Sequence, residues 1–292
     1  MRSLRLRAFG KANLSLNITG RRANMHELDS VMATVDVFDT VTVTERADKQ
    51  INVSFVGRTD IDAVNNTAYK AAHLVMQRTD IPGVDIVVNK GIPIGAGLGG
   101  SSADGAAVLR ALDVFYRLPA LGVDMRDIAL QVGSDVPFML TGGMARVKGL
   151  GEDLFFMENK LSLFAVGLMS APVSTAAAYK KFDELCGESL LASDNDKLCE
   201  KILSGDNGAT EFFGNALTEP AKALSDGIAE SIDRLKALGA VANLTGSGGM
   251  VLGWYTSIDD VARAASTLSA NKTPFKIFTT AKTGVLHEWV SR

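Results

Sequence analysis

The chain has 292 residues, 47% of them hydrophobic, and a formal net charge of −3. That length suits one large domain or two ordinary ones with a sizeable core, and the near-balanced charge offers no basic face for nucleic acid or an anionic membrane. No apolar run reaches transmembrane length, and the two cysteines, Cys186 and Cys199, are too few for a disulfide framework and lack metal-site spacing. A cytoplasmic protein with reduced thiols is expected, with a small molecule as its partner and neither nucleic acid nor membrane. Arg2, Arg5 and Arg7 alternate with apolar residues, which fits a first strand better than a signal peptide.

In chain order, the pattern predicts mixed α and β structure. Leu4–Phe9, Ser15–Thr19, Val31–Val37 and Asp39–Glu45 read as strands of one antiparallel group. Lys11 and Asn13, two apart, share a side of any extended segment. Met25 and His26 follow a polar turn. Asn65–Arg78 reads as a helix with Ala68, Ala71, Ala72, Val75 and Met76 on one face. Asn65 and Asn66 stand at its start, where asparagine is a preferred N-cap. Val84–Lys90 is a β-branched strand, and a helix is predicted over Ser102–Tyr116 with Ser101 or Ser102 as its cap. Asp124–Val132 is a short helix that runs into Gly133-Ser134-Asp135, where Asp135 has the look of a cap. Beyond it, Met144–Lys148, Phe164–Met169, Ala242–Leu244, Val251–Tyr255 and Lys276–Thr280 read as strands. Ser174–Leu185, Thr218–Ala223, Gly227–Leu238 and Ile258–Leu268 read as helices, and Gly187–Asn195 and Ser204–Gly208 as loops. Strands packed with helices after about Asn159 suggest a second α+β layer, with no flexible linker before it.

Between the strand ending at Lys90 and the helix lies Pro93-Ile94-Gly95-Ala96-Gly97-Leu98-Gly99-Gly100-Ser101-Ser102-Ala103. Glycines let consecutive N–H groups converge on an anion, and a helix N-terminus adds unpaired donors and the positive end of a dipole. Together these make a cradle for a polyphosphate. It is not a Walker A loop, because no Gly-Lys-Ser/Thr follows. Nor is an acidic residue obviously placed to hold the ribose of a dinucleotide.

The run from Pro93 to Ala103 resembles the phosphate loop of the GHMP kinases, named for galactokinase, homoserine, mevalonate and phosphomevalonate kinases. Other segments extend the resemblance over nearly the whole chain. They are Phe9-Gly10-Lys11-Ala12-Asn13-Leu14-Ser15-Leu16 with His26-Glu27-Leu28, then Gly133-Ser134-Asp135-Val136-Pro137-Phe138, and Leu244-Thr245-Gly246-Ser247-Gly248-Gly249. The resemblance implies a two-domain α+β GHMP kinase fold. Residues 1–158 would form an ATP-binding domain like ribosomal protein S5 domain 2, and residues 159–292 a ferredoxin-like domain. It implies ATP with Mg²⁺ and an acceptor of the cytidine diphosphate-linked methylerythritol type, phosphorylated on its 2-hydroxyl in non-mevalonate isoprenoid biosynthesis. A mevalonate- or homoserine-type alcohol, or a non-catalytic ligand-binding homologue, is the alternative. The metal ligands are unassigned, with Ser102 as one candidate, and the chain would act as a monomer or homodimer.

The resemblance also distributes roles. Lys11 and Asp135 match the catalytic lysine and aspartate; read alone, they are a solvated lysine and a helix cap. Pro93 through Ala103, with Asn65 and Asn66, match the nucleotide side. Asn13, Met25, His26, Thr175, Tyr179, Gly246, Ser247 and Gly248 match the acceptor side, although Tyr179 reads equally well as a core aromatic on a helix face. The chain departs from the family at Met25, where an aromatic is usual, at Ala176 in place of a proline, and at Ser101 in place of a third glycine. A thioether holds a base less rigidly than a ring does.

Overall fold

Two long strands open the chain where four short ones are expected. In the computed structural model, which describes residues 1–58, 60–62 and 64–291, β1 (Ser3–Arg22) and β2 (Met25–Glu45) form a single antiparallel hairpin turning at Ala23-Asn24. The expected breaks are register slips in the β1–β2 ladder, one between Phe9 and Gly10 with the extra residues on β2, and one between Asn13 and Ser15 with the extra residue on β1. A bulge bends a strand and re-aims its side chains without ending the ladder. Lys11 and Asn13 lie between these two bulges.

The next unit is β3 (Ile51–Phe55), α1 (Thr67–Arg78) and β4 (Val84–Asn89), with β3 and β4 parallel and β4 paired to β2. Asn66 caps α1, its side chain accepting from Tyr69 N at 2.9 Å. α2 (Gly100–Tyr116) packs against α1 and β1 through a face of small and aliphatic residues, among them Ala103, Ala107 and Leu112. Its cap is not Ser101 or Ser102. The chain enters through Gly99, whose φ of 69° is left-handed, so the helix starts early and both serines sit in its first turn. α3 (Met125–Val132) is capped by Asp124, and α4 (Val136–Thr141) follows at once. β5 (Met144–Gly149) adds to β2, and β6 (Asp153–Met157) pairs with β5.

The second layer begins at β7 (Phe164–Met169) and continues through α5 (Thr175–Cys186), α6 (Asn195–Ser204), the short bridge β8 (Gly214–Asn215), α7 (Thr218–Lys222) and α8 (Asp226–Ala237). It is completed by β9 (Val241–Leu244), β10 (Met250–Tyr255), α9 (Ile258–Ala270) and β11 (Lys276–Ala281). Its strands run in the order β11-β7-β10-β9, all antiparallel. The charged run of α6, Asn-Asp-Lys-Leu-Cys-Glu-Lys, hides a two-residue apolar stripe, Leu198 and Ile202, that anchors it. β11 also pairs with β2, and β12 (Val285–Ser291) returns to pair with β1. The chain beyond residue 158 therefore contributes strands to both layers.

A buried charge cluster fastens the glycine run to this frame. Asp39 on β2 is fully buried; its Oδ1 accepts from Gly91 N at 2.7 Å and Ile92 N at 2.8 Å, and its Oδ2 accepts from Lys90. Lys90 Nζ also donates to Asp104 of α2 at 2.8 Å. Burial pushes the Asp104 carboxyl above its ordinary range against the pull of Lys90, and Asp104 Oδ1 has no partner among the described residues. Breaking a buried pair strands its partner. Asp39→Ala is therefore expected to cost about 3–5 kcal/mol of unfolding free energy in urea titrations, and Asp104→Asn much less, since Lys90 keeps Asp39 as its partner. Equal losses in the two variants would contradict this account of the cluster.

Candidate active site

The glycine loop hangs on β1 beside Lys11, whose backbone N donates to Leu98 O at 2.9 Å. Its other side meets the turn after β9 backbone to backbone. A Cβ on Gly97, where φ is 77°, would lie 2.1 Å from Thr245 O. The loop is thereby the common wall of two cavities.

The first cavity, about 280 Å³, is lined by Pro93 through Ser101 and walled by Phe55, Ile61 and Ile92, with Asn66, Thr67, Lys90 and its partner Asp104 as further polar groups. Asn66 both caps α1 and faces this space. Asn65 does not face it; its amide is bound to Asp62 at 2.7 Å. Ala103 is buried in the core as part of the α2 face. An apolar slot with a few polar groups, opening onto a helix N-terminus, suits a nucleotide.

The second cavity, about 320 Å³, lies across the loop and shares Gly97, Gly99 and Ser101 with the first. Lys11, Asn13, Ser102, Asp135, Thr175, Tyr179, Gly246 and Ser247 line it. Lys11 Nζ is 3.6 Å from Asp135 Oδ2, and Lys11 is only 5% exposed. Asp135 does occupy the N-cap position of α4, yet its carboxylate makes no capping bond. The side chain is spent on the cavity instead. Lys11 is therefore no solvated lysine, and residues 124 apart in sequence form one ion pair. The second cavity thus holds a nearly buried cation and a partly exposed carboxylate beside the glycine loop.

The remaining expected residues fall in three groups. Thr175 Oγ1 and Ser247 Oγ meet at 2.8 Å, tying α5 to the turn after β9. Gly248 packs on Val173, where a Cβ would approach to 2.8 Å, and is not among the cavity-lining residues. Tyr179 stacks on His26 with ring centroids 4.7 Å apart and planes at 24°. Burial and the charge of Asp135 raise the pKa of its hydroxyl. His26 lies behind Tyr179 rather than on the cavity wall, with Nε2 2.7 Å from Asp183 Oδ1. The Arg21 guanidinium, helped by His26, holds the Asp183 carboxyl below its usual range. Met25, 54% exposed at the hairpin tip, does not line the cavity either. Asp183 is a contact that the sequence reading does not predict, although Tyr179 and Asp183 are spaced i, i+4 on α5 and so share a face.

Among the described residues no cluster of three or more His, Cys, Asp and Glu side chains forms a metal cage. Asp135 is the carboxylate lining the second cavity, with the hydroxyls of Ser101 and Ser102 nearby. One carboxylate with small oxygen donors fits a magnesium ion held mainly by substrate phosphates.

The family models for the GHMP kinases N terminal domain and the GHMP kinases C terminal match residues 66–143 and 188–272. The 4-diphosphocytidyl-2-C-methyl-D-erythritol kinase of Alkaliphilus metalliredigens (strain QYMF) is 31% identical over 276 residues, covering 92% of this chain and 94% of that protein. The protein of that name from Bacillus cytotoxicus is 34% identical over 257 residues, covering 86% of this chain and 87% of its own length. A crystal structure of 4-(cytidine 5'-diphospho)-2C-methyl-D-erythritol kinase superposes with a TM-score of 0.76 at 29% identity, covering 95% of this chain and 99% of that one. The homoserine kinase of Cytophaga hutchinsonii shares the fold, with a TM-score of 0.70 at 17% identity, covering 98% of this chain and 97% of that one.

Proposed function

We infer, for a chain that belongs to the 4-diphosphocytidyl-2-C-methyl-D-erythritol kinase family of the GHMP kinases, transfer of a phosphoryl group from ATP to the 2-hydroxyl of 4-diphosphocytidyl-2-C-methyl-D-erythritol. The observation that carries this assignment of the site is the Lys11–Asp135 pair facing the glycine loop from the cavity opposite the nucleotide slot. Phosphoryl transfer asks a protein mainly for positioning and charge neutralisation.

ATP lies with its base in the first cavity and its polyphosphate on the N–H groups of the loop and the first turn of α2. The acceptor alcohol enters the second cavity. Asp135 takes the proton of the 2-hydroxyl as the oxygen attacks the γ-phosphorus, and ADP leaves. Lys11 stabilises the charge on the transferred group. Mg²⁺, when bound, neutralises and orients the phosphates, and Asp135 and Ser102 are the residues that would help hold it. Thr175, Ser247 and Tyr179 bound the acceptor. The protein works in the cytoplasm as a monomer or homodimer, with residues 1–158 carrying the ATP side and 159–292 closing the acceptor side.

The test is ADP release measured with ATP and a panel of acceptors: the cytidyl methylerythritol, mevalonate and homoserine. Turnover of the cytidyl acceptor at least tenfold above the others supports the reading. ATP binding without turnover of any of them would mark a ligand-binding homologue.

A further inference from the structure

We propose that Ser30, a fully buried hydroxyl on β2, is a positioning residue that decides which end of the Asn13 amide faces Lys11. The inference rests on the reading of Lys11 as the cation of the reaction. A serine hydroxyl has one hydrogen to give. Ser30 gives it to Ser15 O, at 2.5 Å, so its lone pairs are left for Asn13 Nδ2 at 2.8 Å. The Asn13 amide must therefore donate toward Ser30. Its carbonyl end is then turned the other way, where Oδ1 accepts from Lys11 Nζ at 2.7 Å and from Gly246 N at 3.1 Å.

The reversed amide would set an NH₂ group against an ammonium and a backbone N–H in a buried site, leaving donors without an acceptor. One hydroxyl thus fixes the position of Lys11 and couples it to the turn after β9. That turn is also held by Thr245 Oγ1, which accepts from Asn13 N at 3.2 Å. With both acceptor directions of Oδ1 occupied, Asn13 acts on the substrate through Lys11 rather than by accepting from it. The β1 bulge between Asn13 and Ser15 belongs to the same arrangement, because there Val31 N donates to Ser15 Oγ at 3.0 Å while the Ser15 carbonyl takes the Ser30 hydroxyl.

The experiment compares Ser30→Ala and Ser30→Thr with the full-length wild type, reading both kinetics and the Asn13 side-chain amide by NMR. Loss of one buried hydrogen bond of this kind is expected to lower kcat about tenfold. KM for ATP should stay within twofold, the Asn13 NH₂ protons should exchange faster with solvent, and Ser30→Thr should restore the rate. In an Asn13→Ala background, Ser30→Ala should add no further loss. An unchanged kcat, or an Asn13 amide as protected in Ser30→Ala as in the wild type, would overturn the proposal. Failure of the wild type on every acceptor would instead overturn the reaction, with the amide exchange still deciding the role of Ser30.

Discussion

Asp135→Asn is expected to lower kcat about 10³-fold, inside the usual range of 10² to 10⁴ for a positioned acid or base, with little change in thermal stability. The stability forecast follows from what the carboxylate does not do. It stands at the head of α4 without capping it, so an amide of the same shape removes no helix bond. The rate forecast follows from what it faces. Asparagine cannot take the proton of the acceptor hydroxyl, and it withdraws the negative charge 3.6 Å from Lys11. Lys11→Met, which keeps the length of a nearly buried side chain, should lose a comparable factor by removing a preorganised charge from the transition state. It should also cost some stability, because Asn13 Oδ1 loses a donor. Steady-state rates and melting curves for the two variants decide the matter. Turnover near the wild-type value in either one would remove that residue from the chemistry.

Gly97→Ala should lower kcat/KM for ATP about 100-fold, the scale of loss that a displacement of about 1 Å brings to a catalytic geometry. The new methyl would lie 2.1 Å from Thr245 O and 3.1 Å from Gly248 O, both backbone atoms that no rotamer change can move. The φ of 77° adds strain of its own. The two loops must part, and with them the wall that both cavities share. Gly122→Ala is the matched control. Its φ is 75° and nothing lies within 4 Å of the added carbon, so it should cost about 1–2 kcal/mol of stability from the backbone alone and leave the kinetics untouched. If Gly97→Ala bound and used ATP as the wild type does, the loop would not be the nucleotide cradle.

Local features were readable from residues close together in sequence. The glycine run before a helix, the Asn66 cap and the shared side of Lys11 and Asn13 are all expressions of short-range geometry. Other features depend on contacts that no local pattern encodes. A bulge has no residue signature, so β1 and β2 read as four strands. Gly99 could begin α2 ahead of the serines because its left-handed conformation depends on the packing of the loop against Lys11 and Met139, where a Cβ on Gly99 would collide. Asp135 shows the same limit at the site itself. Cap and catalytic base predict the same residue at the same position, and the missing capping bond and the distance to Lys11 separate them. Ser30 carries no local sequence signal, and Asp183 carries only its i, i+4 spacing from Tyr179, since each acts through a partner elsewhere in the chain, Asn13 and His26 respectively. The terminal strand β12 pairs with the first strand of the protein, a closure that the order of the elements does not announce.

The most direct test is ³¹P NMR of the wild-type protein with ATP, Mg²⁺ and 4-diphosphocytidyl-2-C-methyl-D-erythritol. The expected result is ADP together with one new phosphomonoester signal, coupled to the acceptor carbon that bears the 2-hydroxyl, and none of that signal with Asp135→Asn over the same interval. ADP accompanied only by inorganic phosphate, or a monoester formed on mevalonate or homoserine but not on the cytidyl acceptor, would contradict it.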